Sequence, residues 1–114
     1  MKIAVAGPYS APTERERQEN LDRMNYAAAQ LLEAGHVPLI GVNAALPVLS
    51  KATMEHKYKA IMDISLAVIE HCDAIVLLAE SPGANRERDV LVKKGKPVFH
   101  SAEEAIRHCK AQSN

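Results

Sequence analysis

Short apolar runs alternate along this chain with longer stretches in which apolar residues recur every three or four positions. Lys2–Ala6 is apolar on both faces and closed by Gly7-Pro8, the pattern of a buried strand. From about Arg15, the residues Leu21, Met24, Ala28, Leu31 and Leu32 form one stripe, which predicts a helix that Gly35 is placed to stop. Val37–Ile40 reads as a second strand, and its proline is tolerated best near a sheet edge. Gly41 to about Thr53 shows no clean period and is expected to be a long loop, a common site of ligand binding. A second helix is expected from about Met54 to His71. It is apolar nearly all round beyond Ala60, so it should be buried on two sides, with part of the excess serving a subunit interface. Cys72-Asp73 ends it, and Ala74–Ala79 is a third strand. The Ser81-Pro82-Gly83 turn opens a helix that closes at Gly95. Pro97–Phe99 is a fourth strand. Ser101 caps a last helix, with Glu103 and Glu104 early and Arg107, His108 and Lys110 late, as the helix dipole favours.

Strand and helix alternate without a hairpin signal. One α/β domain over residues 1–114 is therefore expected, Rossmann-like or flavodoxin-like, with a parallel sheet of four or five strands flanked by helices. The loops Gly7–Glu14, Gly41–Thr53 and Glu80–Asn85 then gather at the carboxyl rim of the sheet, where such folds bind ligands. At 114 residues and 47% hydrophobic content the chain suits a single core. Fourteen basic residues balance fourteen acidic ones, which argues against a nucleic acid polymer as partner. A small anion needs only a helix N-terminus and an arginine or two. Arg15 and Arg17 fit either that role or a solvated helix face. Cys72 and Cys109 lie outside any Cys-x-x-Cys pattern and the five histidines show no ligand spacing, so neither a disulfide framework nor a metal site is expected. Ile3–Ala6 is too short for a signal-peptide core and no run reaches membrane-spanning length. These features predict a soluble, cytoplasmic protein with no membrane partner.

Candidate chemistry centres on Glu87. Ala84, Glu87, Val90 and Leu91 are spaced by three and four, which turns the carboxylate to the face that packs inward. It reads either as an acid aimed at a ligand beyond the sheet or as a first-turn acid complementing the helix dipole. The first loop, Gly7-Pro8-Tyr9-Ser10, lacks both the dinucleotide fingerprint and the P-loop signature, which disfavours NAD and ATP chemistry. Tyr9 and Ser10 either bind a hydroxylated or phosphorylated ligand or form a Gly-Pro turn with the tyrosine packed over it.

Taken together, a first strand ending in Gly-Pro-Tyr-Ser, an Ala-Gly-His helix end with proline after it, a Cys-Asp that opens an apolar strand, and Ser-x-Gly-x-x-x-Glu followed by Gly-Lys-Pro-Val resemble the nucleoside 2-deoxyribosyltransferase-like superfamily. The likeness runs from Lys2 to about Phe99 and is nearest to the small bacterial and phage branch, similar to 2-deoxynucleoside 5′-monophosphate N-glycosidases. It implies a flavodoxin-like fold, a homodimer or higher homo-oligomer, no metal or organic cofactor, and a nucleoside or nucleotide as small-molecule partner. The implied activity is cleavage or transfer at the N-glycosidic bond of a 2-deoxynucleoside or its 5′-monophosphate. Glu87 maps onto the nucleophile, Tyr9 onto the residue that positions sugar and nucleophile, and Ser81 onto the contact with the 5′ end. Gly7, Ser10, Gly83 and Asn85 complete the implied cradle. A nucleophilic carboxylate must be ionised, against a reference value of about 4.3. A helix N-terminus favours that form by roughly 0.3–1 kcal/mol.

One position departs from the family pattern. Relatives carry an aspartate eight residues ahead of the aspartate of Cys-Asp, and here that place holds Ser65. Asp63 lies two residues away, about 200° around an ideal helix. Either the helix is shifted so that Asp63 serves as base-side acid, or serine has replaced it; a serine hydrogen-bonds a base but protonates it poorly. The alternative function is a non-catalytic nucleotide-binding module.

Overall fold

A computed structural model describes residues 1–112, and among them four strands alternate with five helices. The strands are β1 (Lys2–Ala6), β2 (Val37–Leu39), β3 (Ala74–Leu77) and β4 (Val98–Phe99). The helices are α1 (Glu14–Glu33), α2 (Gly41–Leu49), α3 (Lys57–Ile69), α4 (Pro82–Lys93) and α5 (Ala102–Gln112). All strand pairings are parallel and the order is β2-β1-β3-β4, so the sheet reverses its direction of growth between β1 and β3. The chain is thus the α/β, flavodoxin-like sheet expected from the strand–helix alternation. Pro38 sits on the edge strand, where its missing N–H costs no ladder bond.

The two central strands are buried on both faces, as unbroken apolar runs require in a parallel sheet. Alternate side chains feed separate cores. Ile3, Val5, Ala74 and Val76 meet α1 and α5 through Met24, Ala27, Leu31, Ala102 and Ala105. Ala4, Ala6, Ile75 and Leu77 meet α3 and α4 through Ile69, Ala84 and Leu91. At the amino rim, Asp73 clamps the start of the sheet: its carboxylate accepts from Lys2 N–H at 2.8 Å and its own N–H donates to Lys2 C=O at 2.7 Å. Gly35 follows α1 at φ +93°, a left-handed turn that side chains resist, and so ends the helix where its stripe ends.

The segment expected as a loop from Gly41 to Thr53 is instead helical over Gly41–Leu49. Its buried positions, Gly41, Ala45 and Leu49, are four apart and pack on α3. Tertiary contact thereby overrides a composition of Gly, Asn and Pro that helices disfavour. The same packing corrects the reading of α3, which starts at Lys57 rather than Met54. The layer covering its second face is α2, from within the chain.

Candidate functional site

Parallel topology sends the loops after β1 and β3 to opposite sides of the sheet and leaves a crevice between them. Gly7, Pro8, Tyr9 and Ser10 form one wall of a cavity of about 320 Å³, and Ser81, Pro82, Gly83, Ala84 and Glu87 form another. α3 closes it with Tyr58, Ile61, Met62 and Ser65, and α2 adds Val42. Of the residues expected from sequence, Gly7, Tyr9, Ser10, Ser65, Ser81, Gly83 and Glu87 line this one space. A wider open groove of about 590 Å³ runs between α1 and the start of α5. Among the described residues it holds no buried acid and none of the expected site residues.

The first loop is held in place by α1 side chains that donate to its backbone carbonyls. Asn20 Nδ2 donates to Tyr9 C=O at 2.9 Å, and Arg17 donates to Ala11 C=O at 2.9 Å. Arg17 also pairs with Glu14 and Arg15 with Glu19, so both arginines serve the helix face and neither reaches the cavity. On the opposite wall Ser81 is the N-cap of α4, its hydroxyl accepting from Ala84 N–H at 3.1 Å. That arrangement leaves the hydroxyl proton for a ligand. Gly83 lets α4 approach α3, since a Cβ there would stand 3.3 Å from Met62 Sδ.

Glu87 is 4% exposed and turns inward with Ala84 and Leu91, the face its spacing predicted. Its position in the helix differs from expectation. α4 begins at Pro82, so Glu87 lies in the second turn, beyond the reach of that helix's N-terminal dipole. Among the described residues nothing hydrogen-bonds its carboxyl. Burial therefore dominates and pushes it from the ordinary 4.5 up to about 8, so the group is mostly protonated at neutral pH. The expectation of an ionised carboxylate is corrected accordingly. The helix end beside the carboxyl belongs to α2. A Cβ built on Gly41 would lie 2.9 Å from Glu87 Oε1 and 2.7 Å from Ser65 Cβ. Ile40 gives the α2 N-terminus no side-chain cap.

Ser65 faces the cavity and Asp63 does not. Ser65 is 1% exposed, and its Oγ is buried without a hydrogen-bond partner. Asp63, two residues back on the same regular helix, points to solvent with 62% of its side chain exposed and pairs with Lys59 at 2.8 Å. Its assignment as base-side acid is overturned by this placement: α3 turns inward at Met62, Ser65 and Ile69 with no shift or bulge. Asn85 also stands outside the cavity lining, although its Oδ1 is buried and unpartnered.

Sequence reasoning missed Tyr58, Ile61, Met62 and Val42. The first three were recoverable, because with Ser65 they fall at offsets of three, four and seven on one helix face. Val42 required knowing that α2 is a helix. Tyr58 carries a further feature at the cavity mouth, where the Arg86 guanidinium lies 5.7 Å from the centre of its ring.

No curated protein matches this chain. Residues 1–100, from β1 through β4, match the family described as Domain of unknown function (DUF4406), and the chain belongs to that family.

Proposed function

We propose that this protein cleaves or transfers at the N-glycosidic bond of a 2-deoxynucleoside or 2-deoxynucleoside 5′-monophosphate, with Glu87 attacking C1′ of the sugar. The observation that carries the reading is a lone, unpartnered carboxyl buried in a cavity at the β1/β3 crevice. Structural acids are seldom buried without a partner, and perturbed acids in clefts mark functional sites. A volume of about 320 Å³ suits a ligand of nucleoside size. Val42, Ile61, Met62 and Pro82 offer apolar walls to a flat base, while Tyr9, Ser10 and Ser81 offer hydroxyls to sugar and phosphate. The motif order shared with the nucleoside 2-deoxyribosyltransferase-like superfamily supports the same assignment.

In this chemistry the C1′–N bond breaks through an oxocarbenium-like state that the Glu87 carboxylate stabilises and then captures. Water or a second base next attacks C1′ and frees the carboxyl. The reading carries with it a cytoplasmic homo-oligomer needing no metal or organic cofactor. Incubation with a panel of deoxynucleosides and their monophosphates, followed by chromatography for free base, tests it. Base release that Glu87→Ala abolishes is the expected outcome.

A second reading has its own observation. Ser65 stands where the superfamily that the motifs resemble carries an acid, and Asp63 faces away, which favours a nucleotide-binding module without turnover. Under it, panel members raise the melting temperature while no base is released.

A further inference from the structure

Cleavage at Glu87 raises a question of proton traffic. The departing base needs a proton, and among the described residues Glu87 is the sole carboxylic acid lining the cavity. Ser65 and Glu87 line the same cavity and flank Gly41 together, with no hydrogen bond between them. Ser65 Cβ and Glu87 Oε1 both lie within 2.9 Å of the point that a Cβ on Gly41 would occupy. The Ser65 hydroxyl is buried and spends its bonding capacity on no described residue, so it is free both to accept and to donate. A buried hydroxyl left without a partner carries a desolvation cost, which makes it a group kept for something other than stability.

From this geometry we infer that Ser65 is a proton relay that lets one carboxyl act first as acid and then as nucleophile. As the C1′–N bond breaks, Ser65 Oγ takes the proton of the Glu87 carboxyl and passes its own hydroxyl proton to the base nitrogen. The freed Glu87 oxygen bonds to C1′, the base leaves with its new N–H, and Ser65 is again a hydroxyl. Attack of water on C1′ runs the transfer backwards and restores the protonated carboxyl. The uncapped start of α2 at Gly41 favours the carboxylate while it exists. The inference rests on the proposed glycosidic reaction and adds to it the source of the proton. Burial supplies the reactant form, because a carboxyl pushed up to about 8 holds its proton at neutral pH. The other ionisable groups around it are Tyr9 of the first loop, Tyr58 of α3 and Cys72 after α3, whose thiol burial pushes up to about 11. Among the described residues no lysine or arginine lines the cavity.

Single-turnover rates for the native protein, Ser65→Ala and Glu87→Ala test the relay on two substrates. One is the panel member cleaved fastest; the other is a 4-nitrophenyl 2-deoxyribofuranoside, whose phenolate leaves without a proton. Ser65→Ala is expected to slow the first about 100-fold and the second by less than about threefold, the pattern of lost general-acid assistance. The native rate on the nucleoside or nucleotide should fall as pH rises through about 8, while the rate on the aryl substrate should rise through the same pH. Melting of Ser65→Ala at or above the native temperature confirms that its fold is intact. Equal losses on both substrates, or no loss on either, overturn the relay and leave the glycosidic reading standing. Failure of the native protein to release any base overturns both.

Discussion

Glu87 is a residue whose charge state depends on what surrounds it rather than on its place in the sequence. Its folded value of about 8 lies above the ordinary 4.5, so the folded chain holds a proton that the unfolded chain has lost. The stability associated with the neutral group is fully present below 4.5 and is lost as pH rises through about 8. The loss is on the order of 5 kcal/mol. Glu87→Gln has no proton to lose. Thermal melts at pH 5, 7 and 9 should show its advantage over the native chain growing with pH and levelling off above 8; a constant difference would mean the native carboxyl titrates normally. Ser65→Ala, which deletes an unsatisfied buried hydroxyl, is expected to stabilise by about 1 kcal/mol in urea titrations. The inward orientation of Glu87 was legible from the spacing of Ala84, Glu87, Val90 and Leu91. Its protonation was not, because the desolvating neighbours come from α2 and α3, far away in sequence.

Elements with a clean period were legible as well. β1, α1, β3 and α4 follow from apolar runs and stripes that local physics decides. α2 escaped because Gly41, Asn43 and Pro47 are poor helix formers, and the stripe Gly41, Ala45, Leu49 is formed largely of small residues. Gly41 is there because α2 presses on α3 at that point. Gly41→Ala would put a methyl group 2.7 Å from Ser65 Cβ and 2.8 Å from its Cα. Backbone cannot yield cheaply, so a cost of about 1–3 kcal/mol is expected in denaturant unfolding, along with displacement of the Glu87 carboxyl. Opposite behaviour is expected two residues from Ser65. Asp63→Ala removes an exposed pair with Lys59 and should leave both the unfolding midpoint and any base release unchanged. A loss of base release there would restore Asp63 to the site.

For the molecule as a whole, strand–helix alternation was enough to foretell a parallel sheet and a rim where binding loops meet. The strand order β2-β1-β3-β4, and with it the place of the crevice, came only from three dimensions. A nucleotide that occupies the crevice binds the folded chain alone. At a hundred times its dissociation constant it should add about 2.7 kcal/mol of stability, readable as a rise in melting temperature. Absence of any rise across the panel would empty the cavity of its proposed occupant.

The clamp at the amino rim joins Lys2 to Asp73, residues 71 positions apart. β1 is the second strand of the sheet in space but precedes the other three along the sequence, and its ladder with β3 cannot close until Ala74–Leu77 has been made. During synthesis the N–H and C=O groups of its β3-facing edge wait unpaired through α1, α2 and α3, exposed to whatever else can add a strand. Loop closure over such a span slows assembly, so the β3-facing edge of β1 is a segment that a chaperone would need to cover until β3 arrives.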